Sequence, residues 1–295
     1  MAITKAANVN PLTLSEKIAC YAQLFKLKLT SFVVISAIFG YFIGAEIYNI
    51  IDVLILIIGG FLITCSSNAL NQVIEKNHDK LMERTKNRPL PLNRISVKEA
   101  AWVSCVFGVF GILILWNINA LTGILGALAI FMYVALYTPL KRVSTISVFV
   151  GAFPGAFPPM LGWVAATGGF SLEAGILFAM QFIWQFPHFW AIAWKINDQY
   201  KKAGFKMLPF GKKNKTTAFI ILLSSVLLFG ASVMPEYFNI TGRIATVGLM
   251  MLSLLMVYPS IRLLQTLDDK FALRVMLMSY LYLIFSLTII LIDKL

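Results

Sequence analysis

Apolar residues run along this chain in blocks of about 20, the length a helix needs to cross the hydrocarbon core of a bilayer. Nine such blocks lie near residues 29–45, 50–72, 100–116, 121–137, 147–166, 172–194, 217–234, 244–264 and 272–292. Each is predicted to be a helix, because a lone strand in lipid leaves its backbone polar groups unpaired. The expected fold class is therefore all-α: a polytopic membrane bundle of about nine transmembrane helices. No polar linker or low-complexity tract interrupts the pattern, so residues 1–295 read as one transmembrane domain.

Composition agrees. Hydrophobic residues make up 59% of the 295 and charged residues only 13%, where a soluble domain carries about a quarter charged. Cys20, Cys65 and Cys105 are scattered without a CxxC pair and read as small buried hydrophobes. Met1 to Lys28 is mixed polar and basic, unlike a secretory signal, and is short and poor in Arg for an organelle transit peptide. A prokaryotic cell (inner) membrane is the expected location.

The formal net charge of +12 would suggest nucleic acid in a soluble protein, but in a lipid-embedded chain the placement of charge matters more, and no nucleic-acid partner is expected. Nine spans put every Lys and Arg except Arg243 and Lys294 on one side, with Lys5 at the N-terminus and rich loops at 73–99, 138–146 and 195–216. That asymmetry predicts a cytoplasmic N-terminus and loops, with the C-terminus opposite. Orientation needs few acids, yet Glu75, Asp79, Glu83 and Asp198 share the basic side.

The second block carries those acids in register. Thr64, Asn68, Asn71, Glu75 and Asp79 recur at three- and four-residue spacing, which stacks them on one helical face. Polar groups at membrane depth normally face a cavity or a partner. An amide and two carboxylates one turn apart suit Mg²⁺, which takes one or two carboxylates plus substrate phosphates. Arg84 and Arg88 follow, and a guanidinium fork matches phosphate oxygens. Lys76, Lys80 and Lys86 read as a solvated loop, and so does His78, which lies off the acidic stripe.

The sixth block ends with a similar layout. Asp198 is followed by Lys201, Lys202, Lys206 and then Pro209, a weak internal repeat that would place two acid–basic loops around one cavity. Gln181, Gln185 and His188 form another stripe at four- and three-residue spacing. His188 is either a hydrogen-bonded structural residue or a ligand-pocket residue, in axial contact with a haem iron or transferring a proton. Between these, Lys141 and Arg142 stand at the entry of the fifth block, where Gly151, Pro154, Gly155, Pro158, Pro159 and Gly162 predict an irregular span walling a cavity.

Four segments, "NQVIEKNHDKLMERTKNRPL", "YTPLKR", "GAFPGAFPPMLGW" and "PHFWAIAW…AGFKMLP", resemble in that order the protoheme IX farnesyltransferase (haem O synthase) branch of the UbiA-type intramembrane prenyltransferases. The resemblance covers roughly residues 26–210. It implies a nine-helix bundle around a central cavity that opens near the cytoplasmic face. It implies that Asn71, Glu75 and Asp79 bind Mg²⁺ and the diphosphate of the donor, with Glu75 standing where many members have Asp. Arg84, Arg88, Lys141 and Arg142 match the diphosphate-contacting positions, to which Lys202 is added, and His188 matches a histidine of the haem branch. The second acidic motif is degenerate: Asp198 is its only acid, followed by Gln199 and Tyr200, and its role as a metal ligand rests on that position alone.

The implied substrates are farnesyl diphosphate and haem b, the latter as acceptor rather than permanent cofactor. Phe153, Phe157 and Trp184 are candidates to shelter an allylic cation. A later oxidation to haem A would make haem A synthase or a terminal-oxidase assembly factor the partners. Competing readings are a related prenyltransferase acting on a quinone precursor or another tetrapyrrole, a secondary transporter, and a non-catalytic haem-binding factor. A transporter should carry its charges near mid-membrane, and a binding factor has no use for the Asn71–Glu75–Asp79 set.

Overall fold

The computed structural model describes residues 13–295; Lys5 and the first part of the Met1–Lys28 stretch lie outside them. Nine helices among these residues are long and apolar enough to cross a membrane, which makes this a multi-pass membrane protein. They include α2 (Leu27–Gly44), α3 (Ile50–Asp79), α4 (Val97–Trp116), the pair α5 (Ala120–Phe131) and α6 (Thr138–Val143), α7 (Ser147–Thr167) and α8 (Leu172–Lys195). After the short α9 (Asn197–Lys202), the chain continues through α10 (Lys215–Ala231), α11 (Met234–Tyr237), α12 (Arg243–Thr266) and α13 (Asp269–Ile292). The only bridge outside helices among the described residues joins Thr241 to Lys294.

Before the first span lies α1 (Leu14–Leu24), which the block pattern did not predict. Thr13 and Glu16 form a capping box at its start, and Tyr21 donates to Glu99 Oε1 at 2.8 Å while Lys17 pairs with the same carboxylate. The helix exposes Leu14 and Ile18, as an amphipathic helix lying along a membrane surface does.

Helices in lipid gain little from burying apolar surface against one another, so they associate through close packing of small residues and interhelical hydrogen bonds. Both devices are present. At the α2–α7 crossing, a Cβ added to Gly40 would sit 1.9 Å from the Pro159 carbonyl oxygen, and one on Gly162 would sit 1.8 Å from that of Ala37. Between α10 and α12, Ser225 meets Ser260 at 3.1 Å and Ser232 meets Ser253 at 3.4 Å. The outer faces expose Leu54, Phe110, Leu113, Leu227, Met251 and Tyr258, the belt that lipid tails cover.

Two helices that outrun their apolar blocks shape the site. The second apolar block ends near residue 72, but helix α3 runs 30 residues to Asp79, as the polar stripe predicts, so Asn71, Glu75 and Asp79 share a single rigid face. The fourth does not end at residue 137. Pro139 cannot donate a backbone hydrogen bond and its ring crowds the carbonyl four residues earlier. The chain answers with a widened π-helical turn over Met132–Tyr137, in which Thr138 N–H reaches back to Tyr133 O. The helix resumes as α6 and carries Lys141 into the bundle, where the spacing had predicted a loop.

The proline-rich α7 is a continuous helix with Pro154, Pro158 and Pro159 inside it, where the sequence suggested irregularity. Its small residues serve close contact with α2 and α8; a Cβ on Gly155 would meet Gln185 Oε1 at 2.0 Å.

Candidate active site

The acidic face of α3 is buried at its charged end. Asn71, Glu75 and Asp79 are all nearly inaccessible, with Asp79 only 1% exposed. Each has one side committed. Asp79 Oδ2 accepts from Arg88 Nη1 at 2.8 Å. Glu75 Oε1 lies 2.8 Å from Lys141 Nζ, in side chains 7% and 11% exposed, an ion pair without hydrogen-bond alignment. Asn71 Nδ2 donates to Thr138 Oγ1 at 3.0 Å. The Thr138 hydroxyl gives its own proton to Tyr133 O at 2.8 Å, so it can only accept from Asn71. The Asn71 carbonyl oxygen is thereby turned away from Thr138.

Arg88 reaches Asp79 because the loop after α3 is compact. Thr85 Oγ1 donates to Asp79 O at 2.8 Å, backbone turns run from Met82 to Arg94, and Met82, Leu90 and Ile95 are buried. Lys141 is held over the Tyr137 ring at 4.4 Å, which replaces part of the hydration an ammonium loses on burial.

Asp79 Oδ1 is buried without any hydrogen-bond partner, and Glu75 Oε1 likewise lacks an aligned donor. A buried, unsatisfied carboxylate oxygen costs free energy unless a ligand completes it. No three His, Cys, Asp or Glu side chains among the described residues gather closely enough for a metal. The protein thus offers two carboxylates and one amide oxygen, a donor set that fits Mg²⁺ when substrate phosphates and water complete its octahedron.

The remaining expected residues divide. Arg84, Arg142, Asp198 and Lys202 are exposed at the same end. The loops that carry them are tied together: Arg84 N donates to Gln199 Oε1 at 3.2 Å, and Lys206 N donates to Lys141 O at 2.7 Å. His78, expected to be a plain loop residue, is a tie as well. It lies on α3, bonds Ala203 O through Nδ1 at 2.9 Å, accepts from Arg142 at 3.2 Å, and rests near the Phe205 ring. Lys76 pairs with Asn93 and Lys86 with Glu83 on the surface.

Asn68, the second member of the predicted stripe, turns away from the acids. It donates to Phe25 O at 3.4 Å and Thr30 Oγ1 at 3.2 Å, while Gln72 donates to Leu24 O at 2.5 Å. Those bonds hold the α1–α2 junction, where Lys26 adopts a left-handed conformation with φ of 49°. A side chain other than glycine in that region is uncommon and points to a constraint. In the charge pattern Lys26 is only one of the basic residues on the N-terminal side. It sits in the field of Glu75, Asp79, Arg88 and Lys141, and burial followed by the Arg88 and Lys141 charges pushes its ammonium down to about 7.

Farther along the bundle, His188 is buried between rings. It stacks on Trp184 at 4.7 Å and 17°, with Tyr280 edge-on at 5.0 Å. Gln185 is committed to the Ala152 carbonyl at 2.8 Å. Phe153 and Phe157 pack in a ladder with Phe178 and Phe182.

Residues 33–285 match the UbiA prenyltransferase family model. The chain is 44% identical over 299 residues to a protoheme IX farnesyltransferase of Christiangramia forsetii, covering 100% of this chain and 98% of that one. It is 45% identical to one of Flavobacterium psychrophilum, covering 93% and 94%. Among solved structures, one of a digeranylgeranylglyceryl phosphate synthase superposes with a TM-score of 0.79 at 21% identity, covering 94% of this chain and 98% of that one. A UbiA homolog from Archaeoglobus fulgidus bound to GPP and Mg²⁺ superposes at 0.66 with 14% identity, covering 92% and 99%. At such identities these two show a common fold.

Proposed function

The chain belongs to the UbiA prenyltransferase family, and from that premise we propose that it transfers a farnesyl group from farnesyl diphosphate to a vinyl group of haem b. Water adds in the same reaction, giving haem O and diphosphate. The relatives named protoheme IX farnesyltransferase support the haem acceptor over a quinone precursor. The observation that carries the donor half is the buried Asn71–Glu75–Asp79 face with the unpartnered Asp79 Oδ1. Family membership and charges gathered at one end, rather than at mid-membrane, disfavour a transporter.

The Asn71 carbonyl oxygen, Glu75 and Asp79 would hold Mg²⁺, which when bound supplies Lewis-acid neutralisation of diphosphate charge. Asp198 is exposed, and we assign it an outer role at the mouth. Arg88, Lys141 and Lys26 bind diphosphate oxygens from the protein side, while Arg84, Arg142 and Lys202 attract the trianionic head from the rim. As the C1–O bond breaks, the departing diphosphate takes the electron pair and its charge grows. Fixed cations stabilise that state more than the ground state, the condition for raising the rate. The haem vinyl π pair then bonds to the allylic carbon. Water captures the resulting cation and one proton leaves. Phe153, Phe157 and Trp184 are assigned to shelter positive charge, and His188 to face the porphyrin.

The basic end of the bundle would lie in the cytoplasm of a prokaryotic cell, with the N-terminus there and the C-terminus across the inner membrane. Haem A synthase or an oxidase assembly factor would then receive the product. The test is turnover by detergent-purified protein given haem b, farnesyl diphosphate and Mg²⁺, read by mass spectrometry. A haem heavier by farnesyl plus water, absent with EDTA, supports the proposal. Diphosphate release onto a different acceptor would remove the haem assignment and keep the prenyltransferase one.

A further inference from the structure

Ser279, on α13, meets His188 at the packed interface with α8. Its hydroxyl lies 2.7 Å from His188 Nδ1 and 2.6 Å from the Met276 carbonyl oxygen. A hydroxyl has one proton, and a carbonyl oxygen has none to give. At 2.6 Å that proton must therefore lie between Ser279 Oγ and Met276 O. Ser279 then offers His188 a lone pair only, so His188 carries its proton on Nδ1 and keeps a free lone pair on Nε2. Nothing among the described residues bonds Nε2.

The same serine fixes the ring's face. Its backbone carbonyl accepts from Trp184 Nε1 at 2.8 Å, and the Trp184 indole is the plane against which His188 stacks. One residue of α13 thus sets both the tautomer and the tilt of an imidazole on α8. A neutral imidazole with Nδ1–H engaged and Nε2 open is the form in which histidine ligates a metal, and the partner at the far nitrogen orients it.

We propose that Ser279 is a positioning residue that aims the His188 Nε2 lone pair at the iron of the porphyrin acceptor. This rests on the haem-prenylating reading above. The coordinate bond uses the Nε2 pair and moves no proton, and His188 thereby holds the macrocycle in one orientation while a vinyl group meets the donor. A proton-transfer role for His188 is the competing outcome.

The experiment binds ferric haem to purified wild type, Ser279→Ala and His188→Ala, read by optical titration and electron paramagnetic resonance, with farnesyl diphosphate binding as the check on folding. Wild type should show nitrogenous axial ligation, and His188→Ala should lose it. Ser279→Ala should bind haem about 10- to 100-fold more weakly, the range for losing a ligand's outer partner, with donor affinity unchanged. Wild-type spectrum and affinity in Ser279→Ala would overturn the assignment, as would absence of a nitrogen ligand in wild type. Should wild type prenylate haem without that ligand, only this inference falls and proton transfer takes its place. Failure to prenylate haem at all would remove the functional reading beneath it.

Discussion

The Asn71 amide and the Thr138 hydroxyl meet at 3.0 Å, joining the acidic face of α3 to the π-helical turn that precedes α6. The widened turn is what Pro139 requires, and it delivers Thr138 to Asn71 and, one turn later, Lys141 to Glu75. Thr138→Val keeps the shape and removes the hydroxyl, freeing the amide to rotate. The Mg²⁺ concentration for half-maximal turnover should rise about 10-fold or more, with the haem KM unchanged. A Mg²⁺ titration checks it, and an unaltered curve would show that Thr138 does not orient the amide.

Asp79 is the one acid with a buried oxygen that nothing satisfies and a second held by Arg88. Asp79→Asn should lower turnover by at least about 10²-fold, the cost of removing a single preorganised electrostatic group. Excess Mg²⁺ should not restore it. The purified variant should still elute as folded protein, so the loss is read in kcat at equal folded concentration.

Glu75 and Lys141 form a nearly dry pair, so stability and activity should separate there. Glu75→Gln leaves a buried ammonium without its counter-charge, at a cost of about 3–5 kcal/mol. Adding Lys141→Met removes the stranded charge and should recover most of the lost thermal stability. Activity should stay absent in both, because metal and diphosphate contacts are gone. Thermal melts in detergent beside turnover assays decide this, and recovery of activity in the double variant would contradict the site assignment.

The nine spans and the acid spacing were legible because lipid imposes one simple rule on helix length and period 3.6 imposes another. The reach of α3 to Asp79 was legible only in the three- and four-residue spacing of its polar stripe, since apolarity ends near residue 72 while helical hydrogen bonding does not. Lys141 was misplaced for the opposite reason: Pro139 ordinarily signals a stop, and only the π turn lets the helix continue. Asn68 and Lys26 were unreadable locally. Asn68 bonds Phe25 O, Lys26 lies in the field of the acids and of Arg88 and Lys141, and both depend on how α1 and α2 dock on α3.

Packing makes its own prediction. A methyl added at Gly162 meets backbone oxygen at 1.8 Å, whereas one at Gly175 meets open space. Gly162→Ala should part α2 from α7 and cost about 1–3 kcal/mol or more. Gly175→Ala, at an exposed position near the start of α8, should be neutral or gain up to about 1 kcal/mol. Parallel melting curves test the pair, and equal melting temperatures would mean that the α2–α7 approach is looser than 1.8 Å implies.

Lys26 offers a test that depends on pH. Its ammonium, pushed down to about 7 by burial and by Arg88 and Lys141 against the pull of Glu75 and Asp79, loses its proton in the free site as pH rises through that value. An incoming diphosphate favours the charged form and draws the proton back, so donor binding takes up a proton above pH 7. By linkage the KM for farnesyl diphosphate should then climb, up to about tenfold per pH unit. Lys26→Arg keeps a charge that does not titrate, so its KM should stay flat over the same range. Lys26→Met should raise KM by about 10-fold or more below pH 7, as expected for a lost charge-assisted hydrogen bond, and the wild-type KM should climb toward that of the variant as pH rises. Identical pH profiles for wild type and Lys26→Arg would mean that Lys26 never meets the diphosphate, and that its left-handed backbone serves only the α1–α2 junction.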